Sequence, residues 1–407
     1  MTALLDTDPN ARARANALRL AMAHALIGSA APIVISQGGF IGTYLAGDGS
    51  PLATVPVTGY NVGVALGAVP AAMLMGRIGR RGGFSFGATM VLAGCALAAW
   101  AIAIGSFWTI VAATFLIGSG ASYTQQYRFA AADQGTEDFR PKAISWVLAG
   151  GLACAVIGPQ LAIWFGDLLA PIPFAGAFVV LGVVVLMGAA VLLTLDFDRP
   201  APKAERLHTG RPLAEIARQP RFVVSVTCAV GTYALMSYVM TGTPLAMIAC
   251  GHSQDDSTLG IQWHVIAMFA PSFFTGNLIA RFGKERIVAA GMVLLVACAV
   301  VGLAGITLAN FWIALVLLGI GWNFGFIGAT AMLTDCYRPE ERAKAQGLND
   351  VLVFGSVAFA SLMSGVTLST IGWEWLNWVV FPVVTICLFS LLLLKWRETG
   401  ARSGAAG

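Results

Sequence analysis

The sequence predicts an all-α membrane protein: twelve transmembrane helices in two six-helix bundles related by pseudo-two-fold symmetry, with both termini cytoplasmic. Three observations predict it. Apolar stretches of about 20 residues, the length a helix needs to cross a bilayer, recur twelve times along the chain. Twenty-three of the 24 Lys and Arg residues fall in every second gap between those stretches. Two short motifs of the first half return in the second half at a nearly constant offset.

In order, the expected spans are 20–45, 54–75, 84–104, 108–132, 143–166, 174–195, 222–249, 259–280, 287–308, 311–334, 345–370 and 376–395. Arg12, Arg14 and Arg19 precede the first span, and Arg77, Arg80 and Arg81 follow the second. Arg140 and Lys142 follow the fourth, and Arg199, Lys203, Arg206, Arg211, Arg218 and Arg221 follow the sixth. Arg281, Lys284 and Arg286 follow the eighth, Arg338, Arg342 and Lys344 the tenth, and Lys395, Arg397 and Arg402 the twelfth. The alternate gaps carry only neutral and acidic residues: Asp48, Asp167, Asp255, Asp256 and Glu374. Cytoplasmic loops of membrane proteins collect Lys and Arg, so both termini are read as cytoplasmic and the helix count as even. Residues 1–18 are polar and the first apolar run is long enough to remain as a helix, so no cleaved leader is expected.

Three regions follow: an N-terminal bundle over 1–195, a cytoplasmic linker over 196–220, and a C-terminal bundle over 221–407. The linker holds Pro200, Pro202, Pro212 and Pro220. The halves are repeats. Gly76-Arg77-Ile78-Gly79-Arg80-Arg81 corresponds to Ala280-Arg281-Phe282-Gly283-Lys284-Glu285, and Asp133 with Arg140 corresponds to Asp335 with Arg342. Duplicated six-helix units of this kind are how many secondary transporters build two bundles that rock about a central site.

Composition narrows the function classes. Hydrophobic residues are 57% and charged residues 11%, against roughly 25% charged in soluble domains. The net charge of +4 resides in the cytoplasmic loops; it speaks for anionic lipid and gives no case for nucleic acid. The seven Cys lie in or beside apolar segments without CxxC spacing, as small buried hydrophobes do. No paired carboxylates, nucleophile–base pair, phosphate loop or His-based metal site is present, so neither an enzyme nor a cofactor or metal is expected. The expected partners are a small-molecule solute and the lipid bilayer, with the chain working as a monomer in the inner membrane.

From these motifs the chain resembles the major facilitator superfamily from end to end. That family's loop signature, Gly-x-x-x-Asp-Arg-x-Gly-Arg-Arg/Lys, survives around Arg77 and Arg281, and its fifth-helix Gly-Pro signature appears between Gly150-Gly151 and Gly158-Pro159. Gly76 and Ala280 replace the loop Asp, and no Arg stands near the outer start of the fourth span. Both departures tell against proton-driven drug efflux.

The resemblance implies a cavity lined by helices one, four, seven and ten. Those segments carry Gln37; Ser122, Tyr123 and Gln126; Tyr233, Ser237 and Thr241; and Trp322, Asn323 and Phe326. Phenols and amides among aromatic rings suit a flat, polar, uncharged ligand. Arg128 stands within a span, with a substrate role and a gate role both open, because such a cation must face protein or water. The resemblance also brings Arg77, Asp133 and Asp350 together as a cytoplasmic gate. His264 and Asp350, both expected to be buried, are the candidate proton-coupling groups, His264 being more readily a structural donor than a proton relay. The runs Gly38-Gly39, Gly118–Gly120 and Gly319–Gly321 read as close helix contacts. The function expected is alternating-access transport of a small organic solute, uptake of a vitamin-like or nucleobase-like metabolite ahead of efflux of amphipathic drugs.

Overall fold

The computed structural model describes residues 10–134, 136, 139–197 and 210–404. Most of the Pro-rich linker, with Arg199, Lys203 and Arg206, lies outside the described residues. The described residues form helices without a strand. In the first half these are α1 (Ala11–Ile27), α2 (Ala30–Ala46), α3 (Val55–Ala103), α4 (Phe107–Thr124), α5 (Tyr127–Asp133), α6 (Arg140–Phe165) and α7 (Ala175–Leu193). In the second half they are α8 (Leu213–Ala217), α9 (Pro220–Ala249), α10 (Gln254–Phe269), α11 (Ser272–Phe282), α12 (Lys284–Ala304), α13 (Leu308–Leu333), α14 (Arg342–Thr370), α15 (Trp373–Trp378) and α16 (Val380–Gly404). Among the described residues nine helices are long and apolar enough to cross a membrane, or ten if the bent pair α10–α11 is one span. Their outer faces are apolar: Leu66, Val183, Met187, Phe389 and Leu392 are exposed, as are Trp100, Trp164, Trp375 and Trp396. Lipid tails solvate the first group, and tryptophan favours the membrane interface.

By packing, the chain divides into a first unit, Met1–Gln37 with Val62–Pro202, and a second, Gly38–Asn61 with Lys203–Gly407. The compact units therefore differ from the sequence halves, because Gly38–Asn61 packs with the second unit. Small residues allow this. A Cβ on Gly365 would meet the Thr54 hydroxyl at 2.2 Å, one on Gly39 would meet Leu245 at 3.2 Å, and Ser361 Oγ donates to Thr58 Oγ1 at 3.1 Å.

In the first unit α1 lies so close to α6 that a Cβ on Gly150 would meet the Ala21 carbonyl oxygen at 2.2 Å. The glycine runs behave alike: Gly120 abuts the Gly87 carbonyl, and in the second unit Gly319 abuts that of His264, each at 2.6 Å from an added Cβ.

Each unit repeats the same construction at its copy of the loop motif. Gly79 (φ 81°, ψ 168°) interrupts α3, and Gly283 (φ 89°, ψ 154°) separates α11 from α12. That backbone region is essentially restricted to glycine, which is why the loop motif needs glycine in both copies. The residue after each glycine then makes an equivalent ion pair, Arg80 with Asp133 and Lys284 with Asp335 (2.6 Å). The bases of first and last helices are tied similarly, Arg12 to Asp196 at 2.9 Å and Arg221 to Glu398 at 2.9 Å. In the second unit Arg221 also reaches Glu285 (2.5 Å) and Asp335 (3.1 Å), so one guanidinium joins α9 to α12, the end of α13 and α16.

Candidate functional site

In the first unit the fourth span is broken. α4 ends at Thr124, Gln125 and Gln126 form a turn, and α5 begins at Tyr127. The turn leaves Gln125 exposed and Gln126 half-buried, and it brings Arg128 to the surface with its guanidinium 4.8 Å from the Phe129 ring centre. Tyr127 turns inward instead. It is fully buried, edge-on to Phe84 (4.7 Å) and to His24 (6.2 Å), and its hydroxyl has no partner among the described residues. His24 Nδ1 lies 3.0 Å from the Val147 carbonyl oxygen, which joins α1 to α6. Ser122 and Tyr123 are buried, the Ser122 hydroxyl donating to the Ser119 carbonyl at 2.7 Å. Gln37 is also buried. Of the first-half residues expected to meet solute, only Gln126 and Arg128 present substantial surface.

The second unit holds an aromatic cluster. Tyr233 of α9 stands edge-on to Trp322 (5.2 Å) and Phe326 (4.9 Å) of α13 and to Phe354 (5.9 Å) of α14. Trp322 and Phe326, one turn apart, are nearly parallel, at 5.4 Å and 16°. Phe269, at the end of α10, closes on Trp322 at 6.3 Å. Tyr233, Phe269, Phe326 and Phe354 are half-buried, while Trp322 is 7% exposed. The indole nitrogen of Trp322 has no hydrogen-bond partner among the described residues, and neither has the hydroxyl of Thr241. Ser237, between Tyr233 and Thr241 on one helix face, donates to the Val357 carbonyl at 3.3 Å.

Asn323 belongs elsewhere. It is fully buried and braces the bend of 43° between α10 and α11, where Pro271 cannot continue the helical ladder. Its amide donates to the Met268 carbonyl and to Ser272 Oγ, both at 2.7 Å, and accepts from Thr275 Oγ1 at 2.6 Å. These bonds use the amide within the unit. The sequence shows an amide on helix ten but not the bend it braces. Conversely, Phe354 and Phe269 were outside the expected lining because they lie on helices eleven and eight.

The charged candidates also move. Asp133 pairs with Arg80, whereas Arg77 is exposed. Asp350 is exposed rather than buried and accepts from the Asn349 amide at 3.2 Å. His264 is fully buried, its Nδ1 2.8 Å from the Leu315 carbonyl oxygen, tying α10 to α13. Among the described residues no group of three His, Cys, Asp or Glu is placed to hold a metal.

In the second unit, Glu341 is buried beneath Arg211, a residue of the 196–220 linker. Arg211 donates its backbone N–H (2.7 Å), Nε (3.0 Å) and Nη2 (2.8 Å) to that carboxylate, and the Arg338 N–H adds a fourth bond at 3.0 Å. The Arg211 side-chain hydrogen bonds, followed by the Arg338 backbone bond, hold the Glu341 carboxyl far below the usual carboxylate range. A lowered folded value stabilises the fold above the ordinary Glu range near 4.3 and loses that stabilisation as pH falls through the folded value. Glu341→Gln is therefore expected to lower the melting temperature by a constant amount between pH 8 and about 5. The gap to wild type should narrow under stronger acid, as read by thermal unfolding in detergent.

A model of the Major Facilitator Superfamily matches residues 18–271 and 256–407. The chain is a member of the Major Facilitator Superfamily. This transporter is 50% identical over 400 residues to the riboflavin transporter RfnT of Brucella anthropi, spanning 98% of this chain and 100% of that protein. It is 31% identical over 378 residues to the uncharacterized MFS-type transporter YddS of Bacillus subtilis, 86% of each chain. Its fold matches the crystal structure of a mutant nucleoside transporter NupG with a TM-score of 0.70 at 13% identity, covering 94% of this transporter and 99% of that chain.

Proposed function

We propose that this transporter carries riboflavin, or a flavin differing from it only in its side chain, into the cell across the inner membrane by alternating access. The likeness to RfnT over the whole of both chains carries this reading. The aromatic cluster of Tyr233, Trp322, Phe326 and Phe354 supports it, because stacked rings and a spare N–H donor suit a flat, polar tricycle. Drug efflux is not favoured. The working form is read as a monomer of twelve spans with cytoplasmic termini. Gly79 divides the 49-residue α3, which at about 1.5 Å per residue is far longer than one crossing. The break at Gln125–Gln126 joins α4 to α5 as another span, and α10 with α11 forms a bent one.

Coupling to protons is expected to be weak. His264 is held by a backbone carbonyl, which leaves Asp350 as the remaining candidate, and Asp350 is exposed. Expression in a riboflavin auxotroph that lacks its own carrier should restore growth at limiting riboflavin. Initial uptake of labelled riboflavin down its gradient should change less than twofold on adding a protonophore. Protein present in the membrane without uptake would overturn the substrate; uptake abolished by the protonophore would overturn the weak coupling.

A further inference from the structure

We infer that the Trp322 indole N–H is the donor that orients the transported ring: it bonds an in-plane acceptor of a flat heteroaromatic seated against Tyr233, Phe326 and Phe354. This inference rests on the riboflavin reading and names the chemistry of the same site.

Three observations carry it. First, Trp322 is 7% exposed and its Nε1 has no partner among the described residues. Buried donors are overwhelmingly paired, and an unsatisfied one destabilises the fold that contains it. Phenylalanine would provide an apolar ring here without that cost. Second, the next residue is treated in the opposite way: Asn323, fully buried on the same helix, has both its amide nitrogen and its amide oxygen bonded. The packing around this part of α13 can therefore satisfy polar groups, and the indole is passed over. Third, the groups around the indole are rings: Tyr233 at 5.2 Å, Phe326 at 5.4 Å and Phe269 at 6.3 Å. All three are half-buried, as is Phe354. Ring faces offer stacking surface but no strong acceptor, and the Tyr233 hydroxyl does not bond the indole N–H, so a ligand must bring the acceptor itself.

These features set a requirement on the solute. It needs an extended flat π-system and, on the edge of that system, a ring nitrogen or carbonyl oxygen with a lone pair in the ring plane. The isoalloxazine ring of riboflavin has both. A hydrocarbon or a cationic amphiphile of similar area has only the first, so the indole donor separates a flavin from such compounds where stacking alone does not.

The test uses the purified full-length protein, with riboflavin binding followed by quenching of flavin fluorescence, which reports stacking on electron-rich rings. Two variants remove the donor: Trp322→Phe, and Trp322→benzothienylalanine, which keeps the fused-ring shape and replaces only the N–H by sulfur. The expected result is a Kd weaker by about tenfold in both, the effect of losing one hydrogen bond to a buried donor. The quenching at saturation should be preserved, because the stack remains. The isosteric variant guards against a packing defect in Trp322→Phe. Wild-type affinity in the benzothienylalanine protein would overturn the inference alone, showing that the indole N–H faces a ring in the weak manner such groups permit. A wild-type protein that binds no riboflavin would overturn the substrate reading and this inference with it.

Discussion

Gly79→Ala and Gly283→Ala should each lower stability by about 1–3 kcal/mol, the cost of forcing a side chain into a backbone region reserved for glycine. Gly79 has φ 81° with ψ 168°, and Gly283 has φ 89° with ψ 154°. The control stands three residues earlier. Gly76 lies inside helical backbone, and a Cβ added there meets nothing within 4 Å. Gly76→Ala should therefore be neutral, or stabilising by up to about 1 kcal/mol through helix propensity. Thermal unfolding of the three variants in one detergent checks this. Equal melting temperatures for Gly76→Ala and Gly79→Ala would contradict the reading of the loop. The substitutions should also weaken the ion pairs that follow each glycine, Arg80–Asp133 and Lys284–Asp335, because the positive-φ residue aims the next side chain.

Arg128→Gln should reduce riboflavin transport by about tenfold or more, well beyond the effect of neutralising any loop arginine. A cation inside a spanning segment is costly unless it meets water or protein. The broken helix, with Gln125 and Gln126 in the turn, holds Arg128 at an exposed position beside Phe129. Arg128→Lys keeps the charge but not the planar fork and should fall between wild type and Arg128→Gln. Riboflavin affinity in detergent separates the roles. A weakened Kd assigns Arg128 to the solute, and near-normal binding with slow turnover assigns it to the gate. Wild-type transport by Arg128→Gln would remove it from both.

Much of the fold was legible because membrane insertion leaves a coarse record: apolar runs of fixed length and cations confined to alternate gaps. The repeat was legible for a more local reason. A positive-φ glycine followed by a cation, with an acid at the end of a later helix, is a construction that needs the same residue types each time it is built. The break after Thr124 was not legible, since neither Gly nor Pro marks Gln125–Gln126. The bend at Pro271 could be suspected from the proline, but its brace could not. Asn323 comes from a helix about fifty residues away, and an amide in an apolar run looks the same whether it meets a solute or a broken helix. Asp350 was misplaced on burial for a related reason: position along a span says how deep a residue lies, not which way it faces. Tyr233, Trp322 and Phe326 could be named from the sequence because they lie on the helices that the family resemblance pointed to. Phe354, on another helix, could be added only by tertiary packing. Trp322 was recognised as an aromatic wall, while its unpartnered N–H is a property of the packed unit alone.

The substrate proposed for this superfamily member is riboflavin. Counterflow in proteoliposomes tests it without cell metabolism or an ion gradient. Liposomes holding the purified protein and loaded with unlabelled riboflavin should transiently accumulate trace labelled riboflavin from outside, and excess external riboflavin should abolish the signal. Labelled riboflavin entering no faster than into protein-free liposomes, with the protein reconstituted and folded, would show that riboflavin is not its substrate.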